Sequence, residues 1–413
     1  MIEEIIMSLD VKSIRKDFPF FAKSDLAYLD NSATTQRPRQ VVEAVADYQY
    51  YHNSNPFRGL YELSIDATDR YEAARSRVAK FINADSDKEI IFTRNASESL
   101  NLVAFSLGEM CLSEGDEIIT TVVEHHSNML PWRHAAKRYG AKVKYLECEK
   151  DGSFSLEKFN SLLTEKTKIV SMTAMSNVFG TITDVKAFAE AAHRVGAYFV
   201  ADGAQSVPHS KTDVKAMDVD FIAFSGHKLL SPMGIGVLYG KKEILEKMPP
   251  FLTGGEMIEY VTLEDVTYAE LPHKFEAGTV NAGGAVGLAA AIDYIESIGL
   301  HNIEEREEYL TKLAFDGLKA IPHITVLGSE KAEDHHGILT FKVDGVHPHD
   351  IAAIIADANV AVRAGHHCAE PLHQFLGIPS TTRASLMFYN TEEEVQRFLD
   401  VVKKIRPMMG YQD

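Results

Sequence analysis

The sequence predicts an α/β fold with a large, mostly parallel sheet domain and a smaller C-terminal α/β domain. Two observations carry that expectation. Between about Asp30 and Tyr239, apolar strand-like runs alternate with helix-period segments. Such repetition makes a parallel sheet covered on both faces. After Gly283 a second, shorter alternation of helices and strands begins. The 413 residues also exceed what one ordinary core accommodates. We expect a large domain over residues 28–300, and a small domain of 301–413 with the N-terminal 1–27 packed on it.

In the first part, Ala67, Tyr71, Ala74, Val78 and Phe81 recur at helical spacing. Strands are expected at 89–93, 117–123, 142–147, 168–174, 197–201, 220–224 and 236–239, with helices at 97–112 and 185–195 among them. In the second part, helices are expected at 285–298, 303–320, 349–358 and 392–405, and strands at 324–326, 338–343, 360–363 and 383–388.

Composition narrows the function classes. The apolar fraction of 45% and charged fraction of 24% suit a soluble globular protein. The formal net charge of −17 argues against nucleic acid and anionic membranes as partners. No apolar run approaches the roughly 20 residues of a membrane span. Met1–Lys16 mixes acids and bases without a secretory pattern, which points to the cytoplasm. The three cysteines, Cys111, Cys148 and Cys368, form neither a disulfide framework nor a zinc motif. Cys111 and Cys148 sit in apolar stretches and read as inert, buried thiols.

Chemistry gathers at strand ends, where open α/β sheets place ligands. Phe221-Ile222-Ala223-Phe224 runs into Ser225-Gly226-His227-Lys228. A lysine there can form a Schiff base with an aldehyde cofactor, and Ser225 and His227 lie close enough to reach its phosphate. A surface lysine on a turn explains the same four letters. A second strand, Tyr198–Ala201, ends in Asp202-Gly203-Ala204-Gln205. Pyridoxal 5'-phosphate needs a carboxylate at its pyridine nitrogen, and Asp202 suits that task. Gln205 suits donation to the ring's phenolic oxygen. An Asp-Gly turn is the plainer alternative. Ser97 stands at a helix start, where free N–H groups bind phosphate. His125, in Glu124-His125-His126-Ser127-Asn128, suits stacking on the ring and proton transfer. Neighbouring histidines point apart, which argues against a metal.

Six stretches together carry a resemblance over nearly the whole chain. They are Glu124–Asn128, Met175-Ser176-Asn177-Val178-Phe179-Gly180, Val200–Gln205, Ser225–Lys228, Phe275-Glu276-Ala277-Gly278-Thr279 and Arg363-Ala364-Gly365-His366-His367-Cys368-Ala369. The chain resembles the fold-type I, class V aminotransferase-like enzymes that use pyridoxal 5'-phosphate, and among them the Suf-type (group II) cysteine desulfurases. The resemblance implies that Lys228 is the Schiff-base lysine, Asp202 the pyridine partner and His125 the stacking imidazole. It sets Asn177 and Gln205 near the phenolic oxygen, and Ala96, Ser97, Ser225 and His227 around the phosphate. Thr279 would reach the phosphate of a neighbouring subunit, which implies a homodimer. Arg383 would hold the substrate carboxylate. Cys368 would be the nucleophile, with the paired imidazoles beside it lowering the thiol pKa.

The chain departs from relatives at Phe57 and Tyr61, where many carry histidines, and at Ala96-Ser97, where two threonines are common.

The resemblance implies conversion of L-cysteine to L-alanine, with a persulfide left on Cys368. The sulfur would pass to an acceptor protein and an iron–sulfur scaffold. His349, 19 residues before Cys368, matches a position that ligates zinc in a zinc-bearing acceptor. A helix start at Pro348 explains the same residues. A selenocysteine lyase would use the same groups. An aminotransferase would need no thiol at 368 and would release pyruvate. A non-catalytic scaffold would have no reason to keep Lys228, Asp202 and Arg383 together.

Overall fold

The computed structural model describes residues 9–412. Residues 1–8, the outer part of the N-terminal segment assigned to the small domain, lie outside the described residues, as does Asp413.

After a short strand β1 (Ala27–Tyr28), seven strands form one sheet: β2 (Ile90–Thr93), β3 (Glu117–Thr121), β4 (Lys142–Leu146), β5 (Thr167–Thr173), β6 (Tyr198–Asp202), β7 (Phe221–Ser225) and β8 (Gly236–Gly240). Their spatial order is β2-β8-β7-β6-β5-β3-β4. All pairs from β4 to β7 are parallel, whereas β8 runs against both of its neighbours. Successive side chains feed opposite cores, as the pleat requires. Phe199, Ala201, Ile222 and Phe224 enter one cluster, and Val200, Phe221 and Ala223 the other. Helices cover both faces, so β7 and β8 are buried along their whole length.

The second part of the chain builds a separate antiparallel sheet. An exposed hairpin, β9 (Ile258–Val261) and β10 (Val266–Tyr268), precedes it and was not expected from the sequence. Its strands are β11 (Ile324–Val326), β12 (Ile338–Val343), β14 (Arg363–Gly365) and β15 (Thr381–Ser385), in the order β11-β12-β15-β14. Between them β13 (Val360–Ala361) pairs in parallel with β1. Ala27 and Leu29 therefore pack with Leu339, Phe341, Ile351 and Ala384 in the core of this second sheet. Phe18 instead inserts among Tyr294, Phe388 and Tyr389, on the first core.

The expected strand at 383–388 is displaced to Thr381–Ser385. Its last residues leave the ladder because side chains claim their amides. Met387 N donates to Asn390 Oδ1 at 2.9 Å, and Phe388 N to Glu307 Oε1 at 3.1 Å. The helix expected at 97–112 runs Ala96–Cys111, and Asn95 caps it by accepting from Glu98 N at 3.0 Å. Among the described residues no single helix is long and apolar enough to cross a membrane, and the one bent pair, Ala282–Ile298 with Leu300–Lys319, breaks by 76°.

One buried ion pair ties the first helices to the sheet. Glu276 takes both prongs of Arg75, at 2.6 and 2.8 Å, plus Tyr71 Oη at 2.8 Å and Phe92 N at 2.7 Å. Both charged side chains are essentially inaccessible, at 0% and 2% exposure. Glu276, in a stretch shared with the family, is thus a structural residue. Removing Glu276 leaves buried Arg75 with only the half-exposed Glu72, at 2.9 and 3.2 Å, so much of its charge loses its compensation. Glu276→Ala should cost about 3–5 kcal/mol of stability in denaturant unfolding; a loss below about 1 kcal/mol would show that the pair is not the anchor described here.

Candidate active site

The parallel strands end on one side of the sheet, and the residues just beyond β3, β5, β6 and β7 line a cavity of about 480 Å³. The second sheet closes it with β14, β15 and the loop to Cys368. Of the residues predicted from sequence, Ala96, Ser97, His125, Asn177, Asp202, Gln205, Ser225, His227, Lys228, Cys368 and Arg383 all line this cavity. Thr279 and His349 do not; both are exposed elsewhere on the surface.

Lys228 follows β7 in a single helical turn, Gly226–Lys228. Burial pushes its amine down to about 8, against the pull of Asp202. Asp202 ends β6 and is buried. One of its oxygens accepts from Ala204 N at 3.0 Å. Burial raises its pKa, opposed by that bond and by Lys228. Its charged form therefore calls for a cationic partner in the cavity.

The phosphate side differs from expectation in one respect. The Ala96 N–H was expected to be open to phosphate, but it donates to Ser225 Oγ at 2.9 Å. The Ser97 amide takes no acceptor among the described residues, and its hydroxyl lies 2.5 Å from Ser127 Oγ. The donors left at this helix start are thus the Ser97 amide and hydroxyls. His227 lies 3.3 Å from Thr34 Oγ1, and burial pushes its ring down to about 4.

His125 Nδ1 accepts from Ser127 N at 3.1 Å, so the neutral ring carries its proton on Nε2. Burial, reinforced by Lys228, pushes it down to about 3 and keeps it neutral. Glu124 beneath it fixes the turn by accepting from Thr121 Oγ1, Asn128 Nδ2 and Thr173 N at 2.7, 2.6 and 2.9 Å. His126 has a role the sequence did not reveal. Its N–H donates to Cys368 O at 2.7 Å and its Nε2 accepts from Glu370 N at 3.1 Å, so it holds the cysteine loop.

That loop is conformationally demanding. His367 and Cys368 both take positive φ, at 52° and 55°, which side chains adopt at a cost. Cys368 itself is exposed. The adjacent imidazoles were expected to act on the thiol, but they anchor the loop instead. His366 Nε2 is 2.7 Å from Pro379 O, and His367 Nε2 is 3.0 Å from Thr381 Oγ1. Burial and Arg383 push His367 down to about 2, so it stays neutral. The cations that face Cys368 are Lys228, Arg363 and Arg383. Burial raises the other two thiols to about 12 for Cys111 and about 11 for Cys148, which makes them poor nucleophiles.

Asn177 joins the two sheets. Its carbonyl accepts from Arg383 Nη1 at 2.8 Å, and its Nδ2 donates to His367 O at 2.7 Å. Arg383 is 3% exposed, and its Nε has no partner. Gln205 donates to Ser32 O at 3.0 Å, whereas its Oε1 is buried and unpartnered. Buried polar atoms without partners are rare, and those of Ser32, Gln205, His367 and Arg383 border this one cavity. Together with a strand-end lysine, a buried carboxylate and an open helix start, they fit pyridoxal 5'-phosphate and an amino-acid carboxylate.

Phe57 and Tyr61, which replace family histidines, lie outside the cavity. Phe57 packs edge-on against Tyr71 and His273, and Tyr61 is exposed.

Fold and site together define a class. The chain belongs to the aminotransferase class-V family, whose model matches residues 27–398. Within that class it is similar to proteins with one recurring description. A "Probable cysteine desulfurase" of Halalkalibacterium halodurans is 48% identical over 407 residues, covering 98% of this chain and 100% of that protein. A solved cysteine desulfurase from Thermococcus onnurineus superposes with a TM-score of 0.92 at 43% identity, covering 95% of this chain and 97% of that one. A solved cysteine desulfurase from Escherichia coli gives 0.90 at 38% identity, covering 97% and 99%.

The lowered Lys228 amine has a measurable consequence. Only the neutral amine can condense with an aldehyde, so pyridoxal 5'-phosphate should rebind to the stripped protein faster as pH rises, with a midpoint near 8. A midpoint near the ordinary lysine value of 10.5 would contradict the burial argument.

Proposed function

We propose that the chain is a pyridoxal 5'-phosphate-dependent cysteine desulfurase that converts L-cysteine to L-alanine and leaves a persulfide on Cys368. The observation that carries this reading is the convergence of Lys228, Asp202, Arg383 and Cys368 on one cavity. When bound, the cofactor supplies an electron-accepting ring that stabilises negative charge at the substrate α-carbon. Lys228 would hold it, Asp202 would face its pyridine nitrogen, and His125 would stack on it as a neutral imidazole. Asn177 and the second N–H of Gln205 would lie near the phenolic oxygen. Ser97, Ser225 and His227, with the Ala96 backbone behind them, would surround the phosphate.

The remaining steps belong to the chain's own groups. Arg383 receives the substrate carboxylate on its unpartnered edge, a charge-assisted pair. The Lys228 amine, with its pKa near 8, takes the α-proton and later returns one to the product. The Cys368 thiolate attacks the substrate sulfur as the carbon–sulfur bond breaks. Alanine leaves, and the sulfur stays on Cys368 as the outer atom of a persulfide.

The same reading extends to partners. A homodimer is supported by exposed apolar side chains, Tyr50, Tyr51, Leu60, Tyr61 and, in the hairpin, Tyr260 and Leu263. Their segments are linked through the Arg58–Glu256 pair and the Gly278–Gly255 hydrogen bond, beside Thr279. The reading includes the Suf type, a cytoplasmic location, and the division into a large domain over 28–300 and a small one over 1–27 and 301–413. Sulfur would pass to an acceptor protein for iron–sulfur cluster assembly. His349 is exposed in the first turn of the helix Pro348–Asp357, 5.1 Å from the His347 ring, and is available to a zinc-bearing acceptor.

Three variants test this. Lys228→Ala should lower alanine release from cysteine by about 10³-fold or more, and undiminished release would reject the assignment. Cys368→Ser should keep the bound cofactor's visible spectrum yet lose alanine release; retained release would remove the thiol from the reaction. His349→Ala should keep the slow acceptor-free turnover and lose stimulation by a zinc-bearing acceptor. Equal stimulation of variant and parent would rule out the zinc contact.

A further inference from the structure

Two arginines face each other across the second sheet. Arg363 on β14 and Arg383 on β15 are directly opposed in the antiparallel register, so their side chains share a face. Like charges in that position repel, and both line the cavity. Asp30 lies between them. Its Oδ1 is 3.1 Å from Arg363 Nε, its Oδ2 is 2.8 Å from Arg363 Nη2, and its Oδ1 is 3.7 Å from Arg383 Nη2. Arg363 therefore has its fork filled in the two-pronged manner. Among the described residues Arg383 has no carboxylate within hydrogen-bond distance, only the longer 3.7 Å ion pair with Asp30, and keeps an unpartnered Nε.

Asp30 is not free to move aside. Its backbone bridges Ser385 on β15, its carbonyl accepts from Ala33 N at 3.1 Å, and Asn31 beside it donates to Ser385 O at 2.8 Å. Its side chain is 15% exposed, whereas that of Arg363 is 49% exposed. A fixed anion thus cancels one of two cations in the substrate-carboxylate region. What remains matches a substrate with one carboxylate. An amino acid with a second carboxylate on its side chain would need Arg363 open, and Arg363 is capped.

We propose that Asp30 is a specificity-determining positioning residue, which pins Arg363 and so restricts the site to amino acids with a single carboxylate. The inference rests on the reading of Arg383 as the carboxylate receptor. It needs no turnover for its test, so its failure is distinguishable from failure of the desulfurase reading, which alanine release by the parent decides.

The test compares succinate with butyrate, which differ by one carboxylate, by calorimetric titration of the holoenzyme. In the parent the two should bind with similar affinity. In Asp30→Asn the preference for succinate should rise about tenfold, the size of one charge-assisted pair. In Asp30→Asn/Arg363→Ala that gain should vanish. Loss of packing alone does not produce a gain of affinity for one ligand over the other. Arg363→Ala with Asp30 intact gives a second reading: Asp30 then stands as an anion without its close partner, so the succinate-to-butyrate ratio should fall below the parent's value. An unchanged ratio in Asp30→Asn, a gain that persists in the double variant, or a rise in the ratio in Arg363→Ala alone would each overturn the proposal.

Discussion

The site depends on how Asn177 is held. It sits just beyond β5, at the open end of the parallel sheet, and reaches across to the second sheet with both its carbonyl and its amide. Through the first it positions Arg383, and through the second it holds the backbone one residue before Cys368. The strand ends that would hold the cofactor belong to the first sheet, whereas Arg383 and Cys368 belong to the second sheet and its loop. This short bridge sets their relative placement, together with His126 on the other side of the loop. Backbone held at positive φ for two successive residues survives only where its surroundings over-determine it, and these anchors supply that constraint.

Burial then sorts the charges. His125 and His367 are kept neutral, so they neither add to nor compete with the cations. Lys228 and Arg383 are each pushed below their ordinary values, Arg383 to about 10, and each is thus driven to find an anionic partner. Asp202 is pushed the opposite way by the same cause. A cationic ring nitrogen near Asp202 and a carboxylate on Arg383 relieve both penalties. The cavity is therefore arranged for a ligand with positive and negative groups in a set order, and Asp30 removes the extra positive charge of Arg363.

Much of this was legible in the sequence. Strand-end residues are readable because a parallel sheet places them together, and Lys228, Asp202, His125 and Ser225 were found that way. Arg383 was legible only through resemblance, since an arginine in a strand carries no local signal. Other features could not be read. Capping by Asn95 competes with Ser97 two residues on, and only geometry decides between them. The Ala96 amide is consumed by a serine 129 residues away. The imidazoles beside Cys368 look like activators in sequence, yet long-range partners at Pro379 and Thr381 turn them into anchors. The strand at 383–388 was misplaced because Glu307 and Asn390, from other elements, take its amides. In each case the deciding partner is distant in the chain.

The central claim is that one thiol of three receives sulfur, because it alone is exposed in the cationic cavity while burial disables the others. The most direct measurement is peptide mass analysis after a brief exposure of the holoenzyme to cysteine carrying a heavy sulfur isotope, with alkylation to trap the product. The account predicts one heavy sulfur on the peptide containing Cys368 and none on those containing Cys111 or Cys148. Label on Cys111 or Cys148, or unlabelled Cys368 alongside released alanine, would contradict it.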